Sequence, residues 1–347
     1  MRASAARRDT RFFASGGYFT ADRRAVFVAP EPPQLATAAG ELSFRLNTGR
    51  VRDQWHTMTR SGLSPRLGAH QPEPFVEVHP LDAAEAGLSD NGFARITTCH
   101  GERVLRVSVS AGQQRRMLFA PIHWSAETAS CGPIGDLVAP VTDRHSGQPE
   151  MKATPAAIAP VTFRYRGFVL ARRRHTLPPG TWTARVAVRN GEGCRFATNE
   201  AAAVWPDLAR SLFARGAEFA EYLDEPRGIY RVAAFAGGAF NGCLFVGPSE
   251  AVPQWDAIKA LFEAGAVGDV ARRLLLSGRS IDGVVDAGPL VCACFGVGLE
   301  SIRAAIKSGA AHSVADIGRM LRAGTNCGSC LPELKRIVSH AAVPASA

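Results

Sequence analysis

Four cysteines set the tightest constraint on this chain: Cys292-Ala293-Cys294 and Cys327-Gly328-Ser329-Cys330, a C-x-C pair and a C-x-x-C pair. Pairs this short aim two sulfurs at one point, and a second pair completes a four-sulfur cage. The other four of the chain's eight cysteines, Cys99, Cys131, Cys194 and Cys243, are scattered singly. Three readings meet at the cage: disulfides or unrelated buried thiols, a structural zinc, and an iron–sulfur cluster. A C-x-C disulfide is strained, and nothing marks the chain as secreted, which weakens the first.

The flanking residues favour the cluster. After Cys294, Phe295-Gly296-Val297-Gly298 leads into Leu299, Ile302 and Ile306 at helical spacing, with a stop at Gly309. Ser313 and Asp316 form a capping box for a second helix carrying Val314, Ile317, Met320 and Leu321, with a stop at Gly324. Pro332 lies in the first turn of a third helix with Leu334, Ile337 and Val338 on one face. Each cysteine pair therefore stands in a glycine-bearing turn before a helix, where backbone N–H groups and the positive helix end favour thiolates and an anionic cluster. The stretches 291–298 and 323–333 resemble the bacterioferritin-associated ferredoxin-like [2Fe-2S] domain, which also occurs fused to assimilatory nitrite and nitrate reductases. That resemblance implies one [2Fe-2S] cluster on Cys292, Cys294, Cys327 and Cys330.

A length of 347 residues gives room for two or three domains, and 46% hydrophobic with 20% charged residues describes a globular chain. No run of about 18 apolar residues occurs, so no membrane span is expected. The basic stretch 1–8 leads into no apolar signal-peptide core, and thiolate ligands suit a reducing cytoplasm, the expected compartment. The net charge of +9 is spread along the chain without a lysine-rich block. This argues against a nucleic-acid partner and for an anionic cofactor.

Residues 75–78, 94–98, 104–109 and 117–119 read as short strands, with a hairpin at His100-Gly101-Glu102 and a short helix over 81–86, a pattern that suggests a barrel. The most informative segment follows an earlier strand: Thr48, Gly49, Arg50, Arg52, Gln54, Trp55, His56, Thr57 and Thr59 gather guanidiniums, hydroxyls, an amide, an imidazole and a broad ring. Such an inventory suits a large ligand with phosphates and a flat heterocycle, or else a polar surface loop with Trp55 plugging the core.

Thr48-Gly49-Arg50 followed by Trp55-His56-Thr57 is similar to the C-terminal domain of molybdopterin-dependent oxidoreductases of the dimethyl sulfoxide reductase superfamily. His79-Pro80-Leu81-Asp82-Ala83, Gly87, Pro121-Ile122-His123-Trp124 and the run 146–152 fit the same domain. The resemblance implies a double-psi β-barrel that closes over Mo-bis-molybdopterin guanine dinucleotide. Residue by residue, it places Thr48, Gly49, Arg50, Gln54, Trp55, His56 and Thr57 against pterin and phosphate groups, His123 near the cofactor, and Lys152 in contact with it. Arg144 stands where the family often has proline. The His123-Trp124 pair and the run 146–150 fit the assimilatory nitrate reductase branch best, and residues 11–28 resemble the end of that enzyme's core.

Between these regions, 164–170, 183–188, 230–235 and 242–246 read as strands, and 202–223, 255–263 and 270–276 as helices; His175, Cys194 and Glu200 show no catalytic spacing. The expected fold is multidomain α+β: a core remnant over 1–40, the double-psi β-barrel over 41–160, a small α+β spacer module over 161–285, and an all-helical [2Fe-2S] domain over 286–340. The resemblance implies the C-terminal portion of a molybdenum-dependent assimilatory nitrate reductase, converting nitrate to nitrite. No catalytic residue is assigned. There is no N-terminal C-x-x-C-x-x-x-C and no molybdenum ligand in a matching context, so a [4Fe-4S] cluster is expected only in a missing N-terminal part. The implied partners are the remainder of the core, an NADH-flavoprotein or ferredoxin/flavodoxin donor, and nitrate. Two alternatives stay open: a non-catalytic electron-transfer or docking protein with a vestigial barrel, and a zinc-stabilised binding module.

Overall fold

The computed structural model describes residues 11–14, 16–31, 34–200, 202–213, 216–249, 255–265, 267–268, 272, 275–276 and 287–342. They fall into two compact units, Met1–Leu35 and Ala36–Ala347. The described residues of the first unit form turns, with the Phe13 ring stacked 4.8 Å from Tyr18 and Phe19 edge-on at 5.3 Å.

The second unit begins with six strands, β1 (Phe44–Gly49), β2 (Phe75–Val78), β3 (Phe93–Thr98), β4 (Gly101–Val109), β5 (Met117–Pro121) and β6 (Thr154–Val161). They close into a barrel in the order β1-β5-β2-β4-β3-β6. Strands β1 and β5 run parallel, as do β2 and β4, and the other neighbours are antiparallel. Alternate residues point inward, so Leu46, Val76, Val78, Ile96, Leu105, Val107 and Leu118 fill the interior. The expected hairpin joins β3 to β4, its turn made by Cys99 and His100 with Gly101 already in strand. Two short helices, α1 (Pro65–His70) and α2 (Pro80–Glu85), each begin at proline, whose fixed φ suits a first helical turn. Asp82 in α2 is fully buried and accepts from Arg115 Nε and the Arg116 N–H, both at 2.7 Å.

The middle region is an antiparallel sheet of β7 (Tyr165–Ala171), β8 (Trp182–Val188), β9 (Gly191–Thr198), β10 (Glu218–Asp224), β11 (Ile229–Ala236) and β12 (Ala239–Pro248) in the order β10-β11-β12-β7-β9-β8. Helix α3 (Trp205–Leu212) covers one face against Val169, Phe196 and Tyr230. Helix α4 (Trp255–Ala264) covers the other against Phe168, Leu170 and Phe240. Central strands buried on both faces read as continuous apolar runs, which is why β7 was visible in the sequence.

Two expectations change here. The helix expected over 202–223 ends at Leu212, and residues 218–224 instead form an edge strand paired along its length with β11. Strands β6 and β9 were not foreseen, because Pro155 and Pro160 weaken one signal and Gly191 and Gly193 the other. A Cβ on Gly193 would lie 2.3 Å from the Trp255 ring, so the indole of α4 seats directly on that backbone. Most of the helix expected over 270–276 lies outside the described residues.

The C-terminal region corrects the all-helical expectation. A two-stranded hairpin, β13 (Leu290–Cys292) and β14 (Val297–Gly298), precedes three helices, α5 (Leu299–Lys307), α6 (Val314–Leu321) and α7 (Leu331–Ala342). The pairing converts the glycine-bearing turn after Cys292 into a hairpin. Ser313 Oγ accepts the Asp316 N–H at 3.2 Å, so the cap is as expected, and α6 ends at left-handed Arg322, two residues before the expected stop at Gly324. Ile302, Ile317 and Leu334 form the core of the three helices. Among the described residues no helix is long and apolar enough to cross a membrane.

The barrel and the middle sheet are joined through Glu73, 6% exposed, which receives Arg195 at 3.1 Å and Arg106 as a second ion-pair partner. Burial works to raise the Glu73 carboxyl, but Arg195 and Arg106 outweigh it and hold it below the ordinary carboxylate value. Removing one partner of such a buried group leaves uncompensated charge. Glu73→Ala is therefore expected to cost about 3–5 kcal/mol, measured by denaturant unfolding. In the unaltered chain this contribution is present above pH 4.5 and fades as pH falls through the lower folded-state value.

Candidate functional site

Strand β1 delivers its last residues to the rim of the barrel. Thr48 is 1% exposed, and its N–H and hydroxyl both donate to the Met151 carbonyl, at 3.0 and 2.9 Å. The Lys152 ammonium donates to the Thr48 carbonyl. A Cβ on Gly49 would meet the Phe119 ring at 2.8 Å and approach Lys152 Nζ at 3.7 Å, so only glycine lets the backbone pass this close. Thr48, Gly49 and Lys152 thus converge, although more than a hundred residues separate Lys152 from the other two.

Beyond Gly49 the chain forms a tight loop. Asp53, Thr57 and Met58 all have left-handed φ, of 67°, 52° and 56°. Non-glycine residues in that region cost about 1–3 kcal/mol each and persist only where surroundings impose them. His123 imposes them here. It is fully buried, Nε2 accepts the Val51 N–H at 2.9 Å, and Nδ1 lies 3.0 Å from the Trp55 carbonyl. An acceptor on one nitrogen and a donor on the other define a neutral imidazole protonated at Nδ1. Burial, opposed by the Trp55 bond, holds its pKa below the ordinary histidine value. Ser61 completes the bracing, accepting the Trp55 N–H at 2.9 Å and donating to Gln54 Oε1 at 2.6 Å.

With its backbone fixed, the loop presents Arg50, Trp55, His56 and Thr57 to solvent. Trp55 is 51% exposed with Arg60 4.6 Å over its ring, so it does not plug the core; Met58 does. An exposed ring flanked by cations, a hydroxyl and an imidazole is a donor set suited to an anionic ligand with a flat heterocycle. Gln54 instead faces inward, bracing Ser61 and donating to the Gln71 carbonyl at 3.4 Å.

The four cysteines lie against this same loop. Cys294 and Cys327 bring their sulfurs to 3.3 Å, and Cys292 is hydrogen-bonded to Cys330, so each contact joins one motif to the other. Cys292 and Cys330 are buried, Cys294 is half-buried and Cys327 is exposed. The Ser329 hydroxyl and N–H lower the Cys327 thiol, whereas burial and Cys292 push Cys330 up to about 11. Among the described residues no three or more His, Cys, Asp or Glu side chains form a group that could hold a single metal ion. The thiols are grouped two and two.

Sequence reasoning overlooked the residues that connect loop to cysteines. Arg52 donates to Glu333 Oε2 at 2.8 Å and to the Val291 carbonyl at 2.7 Å, beside Cys292. Asp53 pairs with Arg52 at 3.0 Å and accepts from Ser329 Oγ at 3.2 Å, and His70 Nδ1 lies 3.4 Å away. Arg66 donates to the Cys294 carbonyl at 3.1 Å. Arg52 stood in the polar inventory without a role, and no local pattern marks the others.

Because His123 is neutral in the fold, unfolded chains bind its proton first as pH falls. Its contribution is complete above about pH 6.5 and is lost as pH drops through the lower folded-state value. His123→Ala is expected to leave two buried backbone groups unpaired, at about 1–3 kcal/mol each, and to speed amide exchange at residues 51–58 even at pH 8. The unaltered chain should show lower protection factors there at pH 5 than at pH 8, once exchange is corrected for its base-catalysed intrinsic rate.

Residues 44–155 match the family described as "Molydopterin dinucleotide binding domain", and residues 290–340 match the BFD-like [2Fe-2S] binding domain. A nitrate reductase of Klebsiella oxytoca is 36% identical over 316 residues, covering 91% of this chain and 36% of that protein. A nitrate reductase of Shewanella frigidimarina is 28% identical, covering 53% of this chain and 22% of its own length. The assimilatory nitrate reductase catalytic subunit of Bacillus subtilis is 29% identical, covering 38% and 18%. The chain thus spans about a third or less of these relatives. The segment that matches the dinucleotide-binding domain carries the braced loop after its first strand, and the segment that matches the BFD-like [2Fe-2S] domain contains both cysteine motifs.

Proposed function

We propose that this chain is a portion of a molybdenum-dependent assimilatory nitrate reductase that closes over a molybdopterin guanine dinucleotide and relays electrons through a [2Fe-2S] cluster. The observation that carries the reading is the direct contact between the loop after β1 and both cysteine turns. The nitrate reductases similar to this chain, one along nine-tenths of its length, support the reading. The parallel β1–β5 and β2–β4 pairs are compatible with a double-psi barrel, the finer description of this fold. The [4Fe-4S] cluster, the molybdenum ligand and the second pterin's site belong, on this reading, to the rest of the enzyme. The electron donor is a flavoprotein or a ferredoxin-type protein of the cytoplasm.

When bound, the molybdenum cofactor supplies the oxygen-atom chemistry that turns nitrate into nitrite and the cluster supplies one-electron transfer. This chain's residues bind and orient. Gly49 lets the backbone pass against Phe119, and Arg50, His56 and Lys152 offer positive or proton-donating groups to a phosphate-bearing ligand. Thr57 offers a hydroxyl, and Trp55 a face for the heterocycle. Thr48, Gln54 and His123 hold the loop's shape from behind. Cys292, Cys294, Cys327 and Cys330 ligate the cluster. Their grouping in two pairs suits a two-iron centre better than one tetrahedral zinc.

The full chain purified anaerobically is expected to contain iron and acid-labile sulfide in equal amounts, with a brown chromophore bleached by dithionite. Cys292→Ser and Cys330→Ser should each lose most of it. Zinc without sulfide would overturn the cluster and leave a binding module.

A further inference from the structure

Apart from Arg66 in α1, the residues that bond barrel to cysteine module lie on functional segments. Arg52 and Asp53 lie one to five residues before Gln54, Trp55, His56 and Thr57. Val291, which receives Arg52, adjoins Cys292 in β13; Ser329, which donates to Asp53, lies between Cys327 and Cys330. Glu333 in the first turn of α7 closes the second branch of the Arg52 fork. Arg52 is about one-fifth exposed and Asp53 7% exposed, so both charges are shielded from salt.

We propose that Arg52 and Asp53 are positioning residues that dock both cysteine turns onto the dinucleotide loop, making the cluster site and that loop one coupled unit instead of two tethered modules. The inference rests on the reading of the cysteines as cluster ligands and of the loop as cofactor-binding. A guanidinium bonded in two directions fixes orientation as well as distance, which a lysine ammonium cannot reproduce. Arg52 supplies positive charge beside the cluster site and Asp53 negative charge. Coupling of this kind is reciprocal: whatever orders the loop must also order the cysteine turns.

The full chain, reconstituted with iron and sulfide, is compared with Arg52→Met, Arg52→Lys, Asp53→Asn and the exchanged pair Arg52→Glu with Glu333→Arg. Amide hydrogen exchange is read over 50–60 and 290–298 together, in apo and loaded protein. The ratio of reduced to oxidised cluster is read at one fixed ambient potential. Arg52→Met is expected to speed exchange in both segments at once and to lower the reduced-to-oxidised ratio about tenfold, equivalent to about 59 mV for a one-electron couple. Asp53→Asn should raise that ratio. Arg52→Lys should keep most of the ratio but not the exchange protection, and the exchanged pair should regain part of that protection. Unchanged exchange and an unchanged ratio in Arg52→Met would sink the proposal while leaving the cluster intact. An unaltered chain that takes up no iron and sulfide would instead sink the underlying reading, and exchange in the apo variants would still decide whether the two segments are coupled.

Discussion

One buried imidazole carries the arrangement. His123 accepts a hydrogen bond from the Val51 N–H and donates one to the Trp55 carbonyl, tying both ends of the loop to the barrel wall. Without those two hydrogen bonds the three left-handed residues at 53, 57 and 58 would relax toward ordinary backbone conformations. Trp55 and His56 face solvent because the backbone beneath them is held, and Arg52 reaches the cysteine hairpin for the same reason. A protonated imidazole could not accept from Val51, so the neutral state is a structural requirement.

The sequence made the chemistry-bearing segments legible because their chemistry is local. Cys292, Cys294, Cys327 and Cys330 announce themselves by spacing, and Ser313 with Asp316 by a capping pattern. Strands β2, β5 and β7 followed from dense β-branched and aromatic runs. What escaped depends on distant partners. Strand β6 contains two prolines and is a strand because β1 and β3 flank it. Residues 218–224 carry a pattern that suits helix or strand, and β11 decides. His123 was placed near the cofactor by resemblance, yet its contacts lie with the backbone 68 and 72 residues away. Gln54, expected among the ligand contacts, also accepts from Ser61 Oγ, a partner seven residues on that no pattern announces. The Arg52 fork spans 239 and 281 residues, beyond the reach of any periodicity argument.

The middle sheet also changes role when its contacts are traced. As a spacer, it would set the distance between barrel and cysteines by its own dimensions. In the structure the cysteine turns rest on the barrel's own loop, and the sheet braces the barrel through Glu73, through the Trp182 N–H to the Val104 carbonyl at 2.9 Å, through the Phe93–Trp182 contact, and through β8 packed on the segment 61–70 that follows the loop. Geometry at the site is therefore set by a few short bonds, while the sheet supplies bulk rigidity.

The parallel pairing of β1 has a consequence for how the protein is made. A strand laid parallel to its neighbour cannot be joined to it by a tight turn, so β1 must wait for β5 and β6, roughly 70 to 110 residues further along the chain. The loop that follows β1 waits longer still, since Arg52 finds its carbonyl and carboxylate only in the last hundred residues. During synthesis this segment leaves the ribosome well before Val291 and Glu333 and stays without those partners until they too have emerged. A ligand that needs the fully braced loop can be gripped only once those distant partners are in place.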